Sequence, residues 1–484
     1  MLASIHKDKL LFSLLAGLFI VLAGIAIFTE QYFLAIIPFA LLIFYAGWQN
    51  RNIVFLVLLF TLPLSFEYHF SSSLGTDIPD ELLMLFVSGL FIAYWVYAPK
   101  TISKNILRHP LLFLLFINLG WIMVTVMFST EPLISLKFLL AKGWYAGAFI
   151  LAPLIIFREK KFIKIAAVTI AGSMFFVAVI ALVRHSDYGF RFANINDAVY
   201  PFFRNHVNYS AMLVCITPIL FAFFNVVKKR NWRLFIGAAI IIVLIALAFS
   251  YARGAWVALL AGGLAYWLIK KRLLLYAFTT AIIFLLISVF WLKDNDRYLR
   301  YSNDFNTTIF HTNFSEHLIA TYKLKDVSTA ERFYRWVAGV RMIKDNWITG
   351  YGPNTFYDNY KEYTVPAFKT WVSDNNDRST VHNYFLLIAI EQGIPGLLFF
   401  IVLLGAMLYY AQYLYHRVKD LFYKTTAITI GVIVTMIIVV NFLSDLIETD
   451  KIGSLFFLCL ASLIATDVNS RKKSDSSPDV EGIS

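Results

Sequence analysis

Residues 228–272 read KKRNWRLFIGAAIIIVLIALAFSYARGAWVALLAGGLAYWLIKKR. Two continuously apolar runs, 234–250 and 255–269, are joined by a turn carrying a single charge, Arg253. Lys228, Lys229, Arg230 and Arg233 precede the pair, and Lys270, Lys271 and Arg272 follow it. Coiled as α-helices, runs of this length span much of the roughly 30 Å of bilayer hydrocarbon. A barrel strand would alternate apolar and polar residues, and these runs do not. Short basic connections are held on the cytoplasmic side, so both outer ends of the pair are expected there and the Arg253 turn on the opposite face.

The pattern repeats along the chain. Its 484 residues are 59% hydrophobic and 15% charged, with a mean hydropathy of +0.69, too apolar for a water-soluble protein of this length. Spans are expected near 10–28, 32–48, 52–66, 81–98, 110–128, 137–157, 162–183, 208–227, 234–250, 255–269, 273–292, 383–414, 424–443 and 452–466, with 52–66 and 452–466 short for a full crossing. The expected fold is all-α, a polytopic transmembrane helical bundle of about 12–14 helices with one large, partly helical outer loop. The chain divides into a transmembrane region 1–292 containing a smaller outer loop 184–207, a large extracytoplasmic loop 293–381, C-terminal transmembrane helices 382–466, and a disordered cytoplasmic tail 467–484.

Lys and Arg collect in alternate connections, and the stretch from Phe66 to Glu81 has none, which places both termini inside. The net charge of +12 is therefore mostly a topology signal, and no nucleic-acid partner is implied. The first span reads as a retained anchor, being long for a signal-peptide core. Cys215 and Cys459 fall inside spans, so no disulfide framework is implied.

Outer loops of this length draw attention as sites of function. In the large one, Ser328 and Glu331 have capping-box spacing and open a helix that puts Arg332, Arg335 and Trp336 on one side; it ends at Gly350-Tyr351-Gly352-Pro353. Arg253, so close to hydrocarbon, either snorkels to headgroups or binds phosphate with its planar fork of donors. Arg332 and Arg335, if not merely a solvated face, lie on the same side and could join it on a diphosphate. His382 begins the next span; it is either a cap or a base, imidazole being well matched to proton removal near neutral pH. Glu391 follows inside that span, either functional or a structural carboxyl beside the Gly393-Ile394-Pro395-Gly396 break. Arg184, Arg191, Arg204, His206 and Asn208 add donors that could line an anionic site. Asp77, Asp80 and Glu81, or Asp374 and Asp377, could hold a magnesium or manganese ion, although short acidic clusters are usually hydrated loops. There is no Walker-type loop, zinc-ligand spacing or nucleophile elbow.

Taken together, Ser250-Tyr251-Ala252-Arg253-Gly254-Ala255-Trp256, then Glu331-Arg332 with Trp336, Gly350-Tyr351-Gly352-Pro353, His382-Asn383-Tyr384 and Glu391-Gln392-Gly393-Ile394-Pro395-Gly396, the chain resembles the O-antigen ligase and O-antigen polymerase superfamily of bacterial envelopes. The resemblance implies a membrane-embedded, inverting glycosyltransferase that takes a glycan from an undecaprenyl-diphosphate-linked donor to an acceptor hydroxyl, a glycan or lipid-glycan, on the outer face of the bacterial inner membrane. It implies that Arg253 and Arg332 hold the donor diphosphate and that His382 is the catalytic base. Arg335, Arg191, Arg204, His206, Asn208 and Glu391 are expected to line the site. No cofactor or metal is expected. About fourteen spans, against the twelve usual for ligases, keep the polymerase branch open, and a lipid-linked glycan flippase or exporter is the alternative of another class.

Overall fold

A computed structural model describes residues 36–71, 74–301, 327–369, 373 and 380–475, with scattered positions between 13 and 25. The expected first span, most of the stretch between 293 and 327, Asp374, Asp377 and the last nine residues lie wholly or largely outside the described residues.

The chain folds as helices α1 (Ile36–Gln49), α2 (Arg51–Thr61), α3 (Asp80–Tyr97), α4 (Pro110–Met127), α5 (Pro132–Ile156), α6 (Lys160–Asp187), α7 (His206–Val226), α8 (Arg230–Phe249), α9 (Arg253–Lys270), α10 (Leu274–Lys293), α11 (Val327–Asp345), α12 (Tyr384–Glu391), α13 (Gly393–Arg417), α14 (Leu421–Phe442) and α15 (Asp450–Asp475). Ten of them are long and apolar enough to cross a membrane. The all-α polytopic bundle read from the sequence is thus the observed architecture, with short helical turns in the connections.

Helix boundaries follow side-chain chemistry. Asn205 and Asp420 each accept two backbone N–H groups at the starts of α7 and α14, and Asn383 accepts that of Leu386 at the start of α12. His109 caps α4 through Nδ1, with Pro110 in the first turn.

Several expectations are corrected. The span 383–414 is two helices, broken at Gly393 (φ +72°), where an added Cβ would stand 2.0 Å from the carbonyl oxygen of Ile348. The connection after α2 contains an antiparallel hairpin, β1 (Phe66–Ser71) with β2 (Leu74–Ile78), pairing Phe66 with Ile78. The short span 452–466 is the middle of α15, which is 26 residues long. Helix continues through Asp475, so 467–475 is not a disordered tail; Asp467 is fully buried, held by His109, Arg417 and Arg471. Ser328 falls one residue inside α11, and the Glu331 carboxylate accepts from Arg335 and Ser373.

Every residue of α15 from Lys451 to Val468 is buried, so this helix runs through the centre of the bundle, packed on α5, α13 and α14. A helix apolar on all faces belongs in such a place. By contrast α10 is exposed along most of its length.

The helices present two ends. At one, here the basic end, Lys160 pairs with Asp420, Arg417 with Asp467, and the Asn469 amide donates to the Phe157 carbonyl. At the other, here the site end, the hairpin, the α4–α5 turn, residues 188–205, the α8–α9 turn, residues 346–369 and 380–383 and the α14–α15 connection are stitched together. Thr130 N–H donates to Tyr351, Ser135 to Pro353, the Tyr251 hydroxyl to Phe190, and Tyr384 N–H to Ser444. Lys451 reaches the carbonyls of both Ser65 and Phe202.

Candidate functional site

Arg253 is the first residue of α9 and follows a tight turn. The Ser250 hydroxyl donates to the Leu247 carbonyl at 2.7 Å and Trp256 Nε1 donates to the same carbonyl at 3.0 Å. Tyr251 takes a left-handed backbone, φ +56°, and its hydroxyl donates to the Phe190 carbonyl at 2.5 Å. Burial pushes the Tyr251 phenol up from its ordinary value, which keeps it a donor. The turn is therefore fixed against residues 188–192, and Arg253 leaves it half-buried at a helix start. A helix N-terminus already favours anions, and a guanidinium beside it adds to that field.

Next to Arg253, a Cβ on Gly254 would stand 3.8 Å from Leu443, the first residue of the α14–α15 connection. Phe442, one residue earlier, has its ring 6.4 Å from that of Trp336 on α11. The Arg253 turn, α11 and the α14–α15 connection thus meet around Phe442 and Leu443.

α11 in turn holds the segment that carries His382. Trp336 Nε1 donates to the Val381 carbonyl at 3.0 Å, and Arg335 Nη1 to the Thr380 carbonyl at 3.3 Å. The other arm of Arg335 pairs with Glu331 at 3.1 Å, and Glu331 also accepts the Ser373 hydroxyl. Arg335 is buried, with Nη1 and Nη2 on protein oxygens, while Arg332 on the same helix is half-buried.

His382 adopts a left-handed backbone, φ +52°, uncommon for a residue with a side chain. Its side chain is 39% exposed, and Nδ1 lies 3.8 Å from Oδ1 of Asp445, which is 15% exposed. That separation is within ion-pair range and longer than a hydrogen bond. Asp445, on the α14–α15 connection, was not among the residues expected from the sequence; it has no motif around it, and only the fold brings it to a histidine 63 positions earlier. The same connection carries Glu448, paired with buried Lys142 at 2.9 Å.

Glu391 is buried at the end of α12 and accepts N–H groups of Asn354 at 2.8 Å and Phe356 at 3.1 Å. Its carboxylate fixes the turn that follows Gly350-Tyr351-Gly352-Pro353, with Tyr351 N–H on the Ile390 carbonyl and Gly352 N–H on that of Glu391. It holds backbone, apart from the His382 and Asp445 pair.

Among residues 184–208, Arg184 donates to the Tyr200 carbonyl, and His206 engages the Asn196 side-chain oxygen through both its backbone N–H and Nδ1. Arg191 and Arg204 are exposed and Asn208 is half-buried in the first turn of α7. This stretch meets the Arg253 turn through the Tyr251 hydroxyl and through the rings of His185, Phe190 and Phe192. The acidic grouping differs from the one expected: Asp77 and Asp80 join Asp450, one carboxylate oxygen from each lying within 4.8 Å of the others. Glu81 instead accepts the Thr76 hydroxyl and the Asp77 N–H, closing the hairpin onto α3.

The fold and this arrangement define a class, a polytopic helical membrane protein with basic residues and a histidine gathered at one end of its bundle. Residues 238–401, about a third of the chain, match the family model described as O-antigen ligase, which supports the resemblance to the O-antigen ligase and polymerase superfamily. At the level of that family the match implies an enzyme of glycan transfer, with lipid-linked glycan and acceptor as partners. The matched stretch runs from α8 into α13 and includes Arg253, Arg332, His382 and Glu391; Asp445 lies beyond it. No curated protein matches the chain.

Proposed function

We propose that the chain is an O-antigen ligase-like transferase that moves a glycan from an undecaprenyl-diphosphate-linked donor to an acceptor hydroxyl, with His382 as base and Arg253 and Arg332 on the diphosphate. The observation that carries this reading is the imidazole of His382 backed by the Asp445 carboxylate, at the junction of the Arg253 turn with α11.

In the proposed step His382 takes the acceptor proton through Nε2, while Asp445, on the Nδ1 side, orients the ring and stabilises the imidazolium. The acceptor oxygen attacks the anomeric carbon as the bond to the diphosphate breaks, and the leaving lipid diphosphate carries away the electron pair. Direct attack inverts the anomeric centre. Arg253 and Arg332 meet the charge that develops on the diphosphate. Apo geometry at such sites is often loose and tightens with substrate, consistent with 3.8 Å between His382 and Asp445. The reading places the chain in the bacterial plasma membrane with both termini inside, the site end outside, and the region 293–381 as its roof.

Arginines in place of a metal make the reaction independent of divalent cations. The test is transfer by the purified full chain with lipid-linked donor: activity should survive EDTA, and His382→Ala should insert normally but lose transfer. Activity that dies with chelator and returns with magnesium overturns the arginine-only mechanism and points to Asp77, Asp80 and Asp450. Product from His382→Ala at the wild-type rate removes the histidine from chemistry. Polymerase is the second reading within the family, since acceptor choice alone separates the two; unattached full-length chains in a deletion strain mean ligase, and single repeats mean polymerase. Lipid-linked substrate moved across vesicles with no new glycosidic bond would favour an exporter.

A further inference from the structure

A cavity of about 880 Å³ lies between α6, α7, α8, α14 and α15, well away from the His382 site. It runs from Lys164 to Phe175 along α6 and from Phe422 to Ile433 along α14, twelve residues or eleven helical steps on each helix. At 1.5 Å per residue that is about 16 Å, close to half of a hydrocarbon core of about 30 Å. The cavity therefore has the depth of one leaflet.

Its two ends differ chemically. The deep end is lined by aliphatic residues and by Gly172, where an added Cβ would meet nothing within 4 Å. The mouth holds Lys164, Lys228 and Lys229, all exposed, with Trp232 beside them. Among the described residues no ion pair is recorded for these three lysines, whereas nearby Lys160 is paired with Asp420. An indole at such a mouth suits the headgroup level of a bilayer. The lysines stand at the basic end of α8 and Arg253 just past its other end; the 20 residues of that helix put roughly 30 Å between them. A lipid seated here cannot also reach Arg253 with its headgroup.

We infer that this cavity is a binding site for an anionic phospholipid of the leaflet at the basic end, with the headgroup phosphate on Lys164, Lys228 and Lys229 and acyl chain in the groove. Apolar depth matched to one leaflet and an unpaired cationic mouth are what such a lipid requires.

The probe is phosphatidylglycerol. Full-length protein in nanodiscs of equal phosphatidylglycerol and phosphatidylcholine is stripped with mild detergent, and the retained lipid is counted by native mass spectrometry. Phosphatidylglycerol should be retained in preference. K164Q/K228Q/K229Q should lose that preference by about fivefold per lysine, from about 1 kcal/mol for each near a surface. Gly172→Leu, which fills the open groove, should lower retention with the lysines intact, and inorganic phosphate should not compete. K270Q/K271Q, at the same end but outside the cavity, should match wild type. Equal retention of both lipids by the wild type, or wild-type retention by the triple variant, overturns the site.

Discussion

His382, like Tyr251, holds a left-handed backbone in the candidate site. A left-handed conformation in a residue with a side chain persists only where its surroundings over-determine it. Here Arg335 and Trp336 grip the carbonyls just before it, and Asn383 caps the helix just after it. Arg335, buried in its pair with Glu331, thereby acts as a positioning residue, while the proposed mechanism assigns the donor diphosphate to Arg332 on the same helix. Asp445→Asn preserves volume but cannot stabilise an imidazolium. It should lower kcat by roughly 10²- to 10⁴-fold with an unchanged unfolding midpoint, and wild-type turnover would take the carboxylate out of the proton path. Arg253→Lys should cost a large share of transfer with normal insertion, because a point charge cannot reproduce a bidentate contact; a wild-type rate would mark it as a topology signal.

At the scale of elements, the break between α12 and α13 organises the site end. Glu391 spends both oxygens on the backbone of residues 354–356, so the turn after α11 and the helix that begins beside His382 move as one piece. Glu391→Gln leaves one acceptor and turns the other position into a donor facing an N–H. It should destabilise by about 1–3 kcal/mol, read as a shifted midpoint in mixed-micelle denaturation, and an unshifted midpoint would show that the turn is held elsewhere. The sequence made the helix ends legible because apolar runs and basic residues are local signals, and it proposed Arg253, Arg332 and His382 through the motifs around them. It did not reveal Asp445, nor the pairing of Asp450 with Asp77 and Asp80. Those partners lie hundreds of positions apart or in connections without a pattern, and only tertiary packing joins them. The hairpin at 66–78 was missed for a related reason: its pairing is short and lies against a membrane span.

On the scale of the whole molecule, basic connections and site connections fall at opposite ends of the bundle. That separation makes orientation testable with little background, since Cys215 and Cys459 are both buried. Arg204→Cys should react with an impermeant maleimide on intact cells, and Lys419→Cys only after permeabilisation. The reverse pattern would invert the proposed topology.

α15 gives this separation a temporal side. The carboxylate behind His382 hangs on the connection that leads into this helix, and nearly the whole helix is enclosed by others that are synthesised before it. The imidazole and both arginines therefore enter the membrane long before their acidic companion. Until α14 and α15 are inserted, the proposed site has its arginines but no carboxylate to orient the imidazole. In the proposed mechanism competence for transfer then waits for α14 and α15, and a product truncated before them should remain inert in the presence of donor.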